Sequence, residues 1–161
     1  MLESLPEKSP KQTMQILSAG TVLGFDYGLK RIGVAVGDLM LNLAHPLETI
    51  ASDVVAIRFA RIGELVAEWK PVLAVVGMPA HDDGREHAFA SSCLRFGRRL
   101  HGRFGLSVLW VDERYSSTAA SMALHEAGVR GRQQKSSLDQ MAAQQILQLY
   151  LDDRNCGHDI T

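Results

Sequence analysis

The stretch VLGFDYGLKRIGVAVGD, residues 22–38, gives the clearest prediction of how the first part of the chain is folded. It joins two short apolar runs through the polar turn DYGLKR, a pattern that predicts an antiparallel β-hairpin. Asp26 stands where the first run should continue into the turn. A carboxylate beside a buried strand loses hydration, so its ionised form needs a cation or hydrogen-bond donors nearby. From spacing alone, Asp26 suits a turn before Gly28 as well as a metal site.

The segments that follow the hairpin predict a mixed α/β sheet. A third extended segment, residues 43–50, completes a meander, and apolar residues then follow at intervals of 4, 3, 4 and 3, which predicts a helix that ends before Pro71. Two apolar runs of strand length follow, at residues 72–77 and 106–113, with a helical 4, 3, 4 spacing between them. Further helices are predicted over residues 116–128 and 136–153. Alternating strands and helices favour parallel pairing in this second half.

The composition predicts one globular domain. The chain has 161 residues, of which 46% are hydrophobic and 22% charged, and its formal net charge is −1. These values are ordinary for a folded protein and give no global sign of nucleic-acid binding. The two cysteines suggest no disulfide framework, and no apolar run approaches the ~20 residues of a membrane span. We expect a cytoplasmic protein with a flexible arm at residues 1–18, a domain at 19–153 and a tail at 154–161.

Three separated segments each place carboxylates at the end of a predicted element. Asp26 ends the first strand, Asp112 and Glu113 end the last one, and Asp139 lies in the first turn of the final predicted helix. If the two strands are neighbours, their ends lie about 5–10 Å apart. Clustered carboxylates repel one another unless a cation neutralises them, and oxygen ligands suit Mg²⁺ or Mn²⁺. The pattern therefore indicates a divalent-metal site that could support phosphodiester hydrolysis.

Each acid also has a purely structural interpretation. Asp139 follows Ser137, with Gln140 three residues beyond the serine, so a capping box at the helix start would account for it. The acids at the end of the last strand could be ordinary loop residues, one of them paired with Arg114. Three sets of carboxylates at compatible termini favour the metal site over these interpretations.

Basic residues accompany the acids. Lys30 and Arg31 follow Asp26 in the hairpin turn, and a polar segment before Asp139 carries three more. These three are Arg130, Arg132 and Lys135. Such cations hold phosphates when the substrate is a polyanion, although a solvated, mobile loop explains the second group equally well. Four further arginines recur along another predicted helix: Arg95, Arg98, Arg99 and Arg103. We interpret this last set first as a solvated helix face.

Four segments carry a resemblance to a known family. They are GFDYGLKRIGVAVGD, VVGMPAHDDG, VDERYSSTAASMAL and SLDQMAAQQILQLYL, within residues 22–151. In order and spacing they resemble the signature segments of the YqgF family of pre-16S rRNA nucleases, also called Holliday junction resolvase-like. The resemblance implies an RNase H-like α/β fold with a mixed five-stranded sheet, an antiparallel meander followed by parallel strands, and helices on both faces. It also implies metal-dependent nuclease chemistry in small-subunit rRNA maturation.

The resemblance also implies roles for individual residues. The family's catalytic acids fall on Asp26, Asp112, Glu113 and Asp139. Strand alternation aims only one of Asp112 and Glu113 at the site, and Glu113 is favoured as the Mg²⁺ or Mn²⁺ ligand because resolvases of this fold use a glutamate there. The residues expected to contact nucleic acid are Lys30, Arg31, Arg114, Arg130, Arg132 and Lys135. The family's usual DERLTT reads DERYSS here, and its LPLNMDG reads MPAHDDG, so contacts made by these loops are expected to differ.

These observations lead to three hypotheses about function. The first is an endonuclease that cleaves structured RNA, matures the 5′ end of pre-16S rRNA and meets ribosomal particles, as a monomer or homodimer. The second keeps the chemistry but cleaves branched DNA as a junction resolvase, which requires a two-fold dimer. The third is a nucleic-acid-binding or regulatory module without turnover, and the clustered acids argue against it because a phosphate binder gains nothing from negative charge.

Overall fold

The structure is a computed structural model that describes residues 19–79, 84–112 and 131–160. The elements within these ranges are six strands, three α-helices and a 3-10 turn. In chain order they are β1 (Thr21–Tyr27), β2 (Ile32–Asp38), β3 (Leu43–Ile50), α1 (Val55–Trp69), β4 (Leu73–Met78), α2 (Gly84–Phe104), β5 (Ser107–Asp112), α3 (Gly131–Asp152), the 3-10 turn (Arg154–Cys156) and β6 (His158–Asp159). The predicted arm at 1–18 and helix at 116–128 lie outside the described residues. None of the described helices is long and apolar enough to cross a membrane.

The strands form one mixed sheet in the order β3-β2-β1-β4-β5-β6. The first three pair antiparallel, and β4 runs parallel to both β1 and β5. The predicted meander followed by parallel strands, and the α/β class, are therefore confirmed. However, β4 separates the strands that carry Asp26 and Asp112, so these strands lie about 10 Å apart rather than side by side.

The predicted number of five strands is wrong by one. Residues His158 and Asp159 form a sixth strand that pairs antiparallel with Trp110 and Leu109 of β5. The amide of Ile160 donates to the carbonyl of Val108 at 3.2 Å, and the Ile160 side chain is buried. Two polar residues carry no alternation that could indicate a strand, so only pairing with the exposed edge of β5 defines it. Within the segment expected to form a tail, His158 and Asp159 therefore belong to the sheet, and the backbone of Ile160 continues the pairing.

Helix boundaries agree with the sequence for α1 but not for α3. The chain leaves α1 at Lys70, which has a left-handed φ of 46° and is followed by Pro71, as the predicted stop requires. By contrast, α3 begins at Gly131, whereas we predicted a polar loop up to residue 135. The segment RQQK is made of good helix formers, so nothing in it resists extension of the helix.

The earlier start of α3 changes the position of Asp139. It is the ninth residue of the helix and not part of its first turn. Ser137 cannot then cap the helix, and the helix-end interpretation of Asp139 is wrong because the electrostatic effect of a terminus is confined to about one turn. A structural explanation for this carboxylate must come from elsewhere in the fold.

Strand alternation divides the core between two faces of the sheet. On the first face, α1 and α2 cover aromatic rings, and Phe96 contacts Phe25 and Phe59 with ring centroids 5.6 and 5.8 Å apart. We call this the aromatic face. On the second face, α3 packs on small residues of β1 and β2: Gly24, Gly33, Ala35 and Gly37. We call this the glycine face.

Candidate metal and nucleic-acid site

Asp26 belongs to the glycine face near the end of β1. It lies two residues after Gly24 and therefore projects to the same face. A Cβ atom at Gly24 would lie 2.8 Å from Cβ of Leu147 in α3. Asp26 is half-buried and is paired with Gly33 in the antiparallel ladder. Directly opposed residues of such a pair project to the same face. The Asp26 carboxylate therefore leaves the sheet on the side where α3 packs.

Gly33 is the residue that brings α3 close to Asp26. A Cβ atom at this position would lie 1.9 Å from the carbonyl oxygen of Asp139 and 3.1 Å from its Cα. No side chain other than hydrogen fits, so the helix backbone rests directly on β2. Since opposed Cβ positions in such a ladder are about 5 Å apart, Cβ of Asp26 lies within about 8 Å of Cα of Asp139. Two of the predicted acids thus come together on one face.

The Asp139 carboxylate has a defined partner. The Nε of Arg31, in the β1–β2 turn, donates to its Oδ2 at 2.7 Å. The Asp139 side chain is 19% exposed and that of Arg31 is 37% exposed, so the pair is partly shielded from water. One oxygen of Asp139 thus accepts a hydrogen bond from Arg31. Arg31, which we predicted only as a phosphate contact, also orients a candidate metal ligand.

Arg58 holds the turn that carries Arg31, and sequence reasoning missed it. Its side chain is 5% exposed; Nη2 donates to the carbonyl of Gly28 at 2.8 Å and Nε donates to the carbonyl of Ser52. The guanidinium also lies over the Tyr27 ring, 5.5 Å from its centroid. The signal was present in the sequence, because Arg58 falls on the apolar side of α1, four residues before Ile62.

The strand register places Asp112 on the aromatic face. Along β5, Val108 and Trp110 pack with the aromatic core, whereas Leu109 and Val111 pack under α3. Asp112 lies two residues after Trp110, so it projects to the same face as Val108 and Trp110, and it is exposed. It is therefore not directed towards Asp26 and Asp139. Glu113, Arg114 and Arg130 lie outside the described residues.

The remaining predicted cations are placed only in part. Lys30 is exposed in the hairpin turn next to Arg31. Arg132 and Lys135 fall in the first two turns of α3, and their side chains lie outside the described residues. The hairpin turn flanks the Asp26–Asp139 pair, so this end of the glycine face combines two carboxylates with Lys30 and Arg31.

The donor atoms at this end fit a hard cation incompletely. Among the residues that the structure describes, no three metal-ligating side chains come together, and the described part of the candidate site contains two carboxylates. Carboxylate oxygen is the donor that Mg²⁺ and Mn²⁺ prefer. The pair therefore offers part of the ligand set for such an ion, and Glu113, the third ligand predicted from the sequence, lies outside the described residues.

Comparison with solved structures defines the class of fold. The chain is similar to T. thermophilus RuvC in complex with Holliday junction substrate, with a TM-score of 0.56 and 17% identity, over 87% of this chain and 99% of the other. A second T. thermophilus RuvC structure matches with a TM-score of 0.50 at 15% identity, over 86% and 99%. The fold is RNase H-like, as the sequence resemblance implied.

Comparison with protein families then identifies the chain more closely. The model of the RuvX family, described as Holliday junction resolvase, matches residues 20–153. Many relatives carry the name "Putative pre-16S rRNA nuclease", and two of them illustrate the similarity. One, from Nitrosomonas eutropha, is 49% identical over 94% of this chain and 96% of its own length; the other, from Methylobacillus flagellatus, is 55% identical over 84% and 92%. The chain belongs to the RuvX family, and the resemblance to YqgF proteins is confirmed.

Proposed function

We propose that this protein is a Mg²⁺- or Mn²⁺-dependent endonuclease that cleaves phosphodiester bonds in structured RNA. The observation that carries the proposal is the contact of α3 with Gly33, which brings Asp139 beside Asp26 on one face of the sheet. The names of the relatives support nuclease activity and pre-16S rRNA as the substrate. The proposed setting is 5′-end maturation of this rRNA on ribosomal particles in the cytoplasm.

The residues proposed to hold the ion are Asp26, Asp139 and Glu113. Glu113 is preferred to Asp112 because the parity of β5 leaves Asp112 on the aromatic face. A divalent ion bound there would supply charge neutralisation at the scissile phosphate and a more acidic water. The chain itself contributes the rest: Arg31 orients the Asp139 carboxylate through one oxygen, and Lys30, exposed in the same turn, attracts the phosphate backbone.

The proposal is tested by Asp26→Asn, Asp139→Asn and Asp152→Asn, assayed on a pre-16S rRNA fragment in Mg²⁺ and in EDTA. Asp152 lies on the same helix as Asp139, about 20 Å further along, and serves as the matched control. Loss of a metal-ligand carboxylate should lower cleavage at least about 100-fold, and Asp152→Asn should cleave like the wild type. Full cleavage by folded Asp26→Asn, or by the wild type in EDTA, would overturn the assignment.

A second pair of variants tests the choice between the two acids at the end of β5. Glu113→Gln should abolish cleavage, and Asp112→Asn should retain it, since only the first is proposed to bind the ion. Mn²⁺ titration by calorimetry separates this role from a structural one, because loss of a ligand weakens binding whether or not the chain cleaves RNA. The opposite result would transfer the ligand role to Asp112. Absence of Mn²⁺ binding by the wild type would favour a binding module without turnover.

The family description and the fold favour one alternative, a resolvase that acts on branched DNA. A resolvase must place two matched sites on a symmetric junction, so it should be a two-fold dimer. Sedimentation and cleavage of a four-way DNA junction, run beside the rRNA fragment, distinguish the two functions. A monomer that cleaves the RNA and leaves the junction intact excludes the resolvase, and a dimer with the reverse preference excludes the RNA nuclease.

A further inference from the structure

A groove on α2, a helix of the aromatic face, contains four arginines. Its volume is about 520 Å³, and all of its described lining residues come from α2. They are Ser91, Leu94, Arg95, Arg98, Arg99, Gly102 and Arg103. The sequence pattern predicted a solvated helix face, and the exposed side chains agree with that prediction. The structure adds that these cations line one common groove.

Within the described residues, the arginines of this groove are not paired with acids as Arg61 is. All four arginines are exposed, and within the described ranges Arg95, Arg98 and Arg99 form no ion pair. Arg61 on α1 shows the contrast, since it contacts Glu48 and Glu64, both at 2.6 Å. The chain as a whole has a net charge of −1, so the basic groove is a local concentration and not a consequence of a basic protein.

The groove has dimensions and anchors that suit a phosphate chain. From Arg95 to Arg103 the helix advances about 12 Å, a length over which one nucleic-acid strand presents several phosphates. The Arg103 guanidinium is held 4.4 Å from the Phe59 ring centroid, which fixes one end of the groove against the core. A Cβ atom at Gly102 would meet nothing within 4 Å, so the surface there is open.

We propose that this groove is a second nucleic-acid site that binds the sugar–phosphate backbone without taking part in cleavage. The groove lies in the C-terminal half of α2, which packs on the aromatic face, whereas Asp26 and Asp139 occupy the glycine face. The planar guanidinium fork matches phosphate oxygens in pairs. The described lining contains no aromatic side chain for base stacking, so the groove reads charge and not sequence. That the bound polymer is the substrate rests on the proposed nuclease function.

The test measures binding of a fluorescent RNA stem–loop in EDTA, so that no cleavage occurs. Arg98→Gln is compared with Arg61→Gln, which removes the same charge from a paired arginine outside the groove. Arg98→Gln should weaken binding about three- to tenfold and Arg61→Gln should not. The double variant Arg98→Gln/Arg99→Gln should lower the slope of log affinity against log salt by about 1.5. A thermal melt of each variant checks folding. We expect the groove variants to melt like the wild type, because their side chains are exposed.

The outcomes separate this inference from the proposed function. In a single-turnover assay with saturating enzyme and Mg²⁺, the double variant should cleave at the wild-type rate, whereas Asp26→Asn should bind normally and fail to cleave. If the wild type never cleaves but binding still depends on Arg98 and Arg99, the nuclease proposal fails and the groove assignment stands. Equal affinity of the double variant and Arg61→Gln overturns the groove assignment. The groove assignment is also overturned if the protein binds polyglutamate through these two arginines and does not bind RNA.

Discussion

The two faces of the sheet are packed with residues of very different size, and the two kinds of packing have different consequences. On the aromatic face, rings of Phe25, Phe59 and Phe96 fill the space under α1 and α2 and keep the helices at the distance that their volume requires. On the glycine face, hydrogen in place of a side chain at Gly33 lets the α3 backbone touch β2. Bulk on one side supplies stability through buried apolar area, and its absence on the other brings two carboxylates together.

This difference predicts that the two faces respond differently to mutation. The aromatic face should tolerate a change in shape without loss of the candidate site, at a cost in stability. The glycine face should lose both stability and metal binding when a single methyl group is added. Four changes test this separation, ordered from the largest expected effect on free energy to the smallest.

The largest effect is expected from Phe96→Ala. Phe96 is buried and its ring contacts Phe25, Tyr27 and Phe59, so its removal leaves a cavity and should lower the free energy of unfolding by about 4 kcal/mol. Phe96→Leu should cost less than about half of this, because it refills most of the volume. Urea denaturation measures both. Mn²⁺ affinity of the folded protein should not change, and its loss in Phe96→Leu would show that the faces are coupled.

Gly33→Ala should have the next largest effect on stability and the largest on the site. The added Cβ would lie 1.9 Å from the carbonyl oxygen of Asp139, a backbone atom that cannot move without the helix. We expect a loss of about 3 kcal/mol in the free energy of unfolding and weaker Mn²⁺ binding.

The matched control for Gly33→Ala is Gly102→Ala, in the helix of the aromatic face. A Cβ atom there meets nothing within 4 Å, and alanine is the better helix former, so stability should rise by about 0.5–1 kcal/mol. Similar denaturation curves for the two variants would contradict the close approach of α3 to β2.

Arg31→Gln tests whether the hairpin turn orients Asp139. Its ion pair is partly exposed, so the change in unfolding free energy should be below about 1 kcal/mol. Loss of a hydrogen bond to a metal-ligand carboxylate should nonetheless weaken Mn²⁺ binding about tenfold, as measured by calorimetry. Lys30→Gln, one residue earlier and exposed, is the control and should bind Mn²⁺ like the wild type. Equal affinities for both variants would remove the positioning role from Arg31.

The smallest effect concerns alkaline pH. Tyr150 lies on α3, and its burial against the sheet raises its pKa above the ordinary value, partly offset by Arg154. Unfolding therefore releases a proton above about pH 10, and the free energy of unfolding falls as pH rises through that range. Below about pH 10 the contribution is fully present.

Tyr150→Phe should remove this part of the alkaline decline, seen as thermal melts between pH 9 and 11. Burial also raises the pKa of Cys156, and its contribution is lost in the same direction from a lower pH. Cys156→Ala is therefore the control, since it should leave the part of the decline due to Tyr150 in place. An unchanged profile in Tyr150→Phe would show that its hydroxyl is not shielded as the packing of α3 indicates.

Sequence patterns predicted the parts of the fold that local chemistry controls. The hairpin, the meander and the helix at Val55–Trp69 followed from alternation, from 4, 3, 4, 3 spacing and from the stop at Pro71. β6 escaped prediction because two polar residues become a strand only against the edge of β5. The true start of α3 was not predicted, because the same polar residues occur in exposed helical turns and in solvated loops.

For the candidate site, the sequence by itself determined which residues could act, and the tertiary structure decided which of them meet. Asp26 was recognisable as a carboxylate at the end of a strand and Asp139 as one near the predicted start of a helix, but they lie 113 positions apart in the chain. Their proximity depends on Gly33 in a third segment, and the parity of β5 turns Asp112 away. Packing of this kind depends on space between distant segments, which no local pattern of residues encodes.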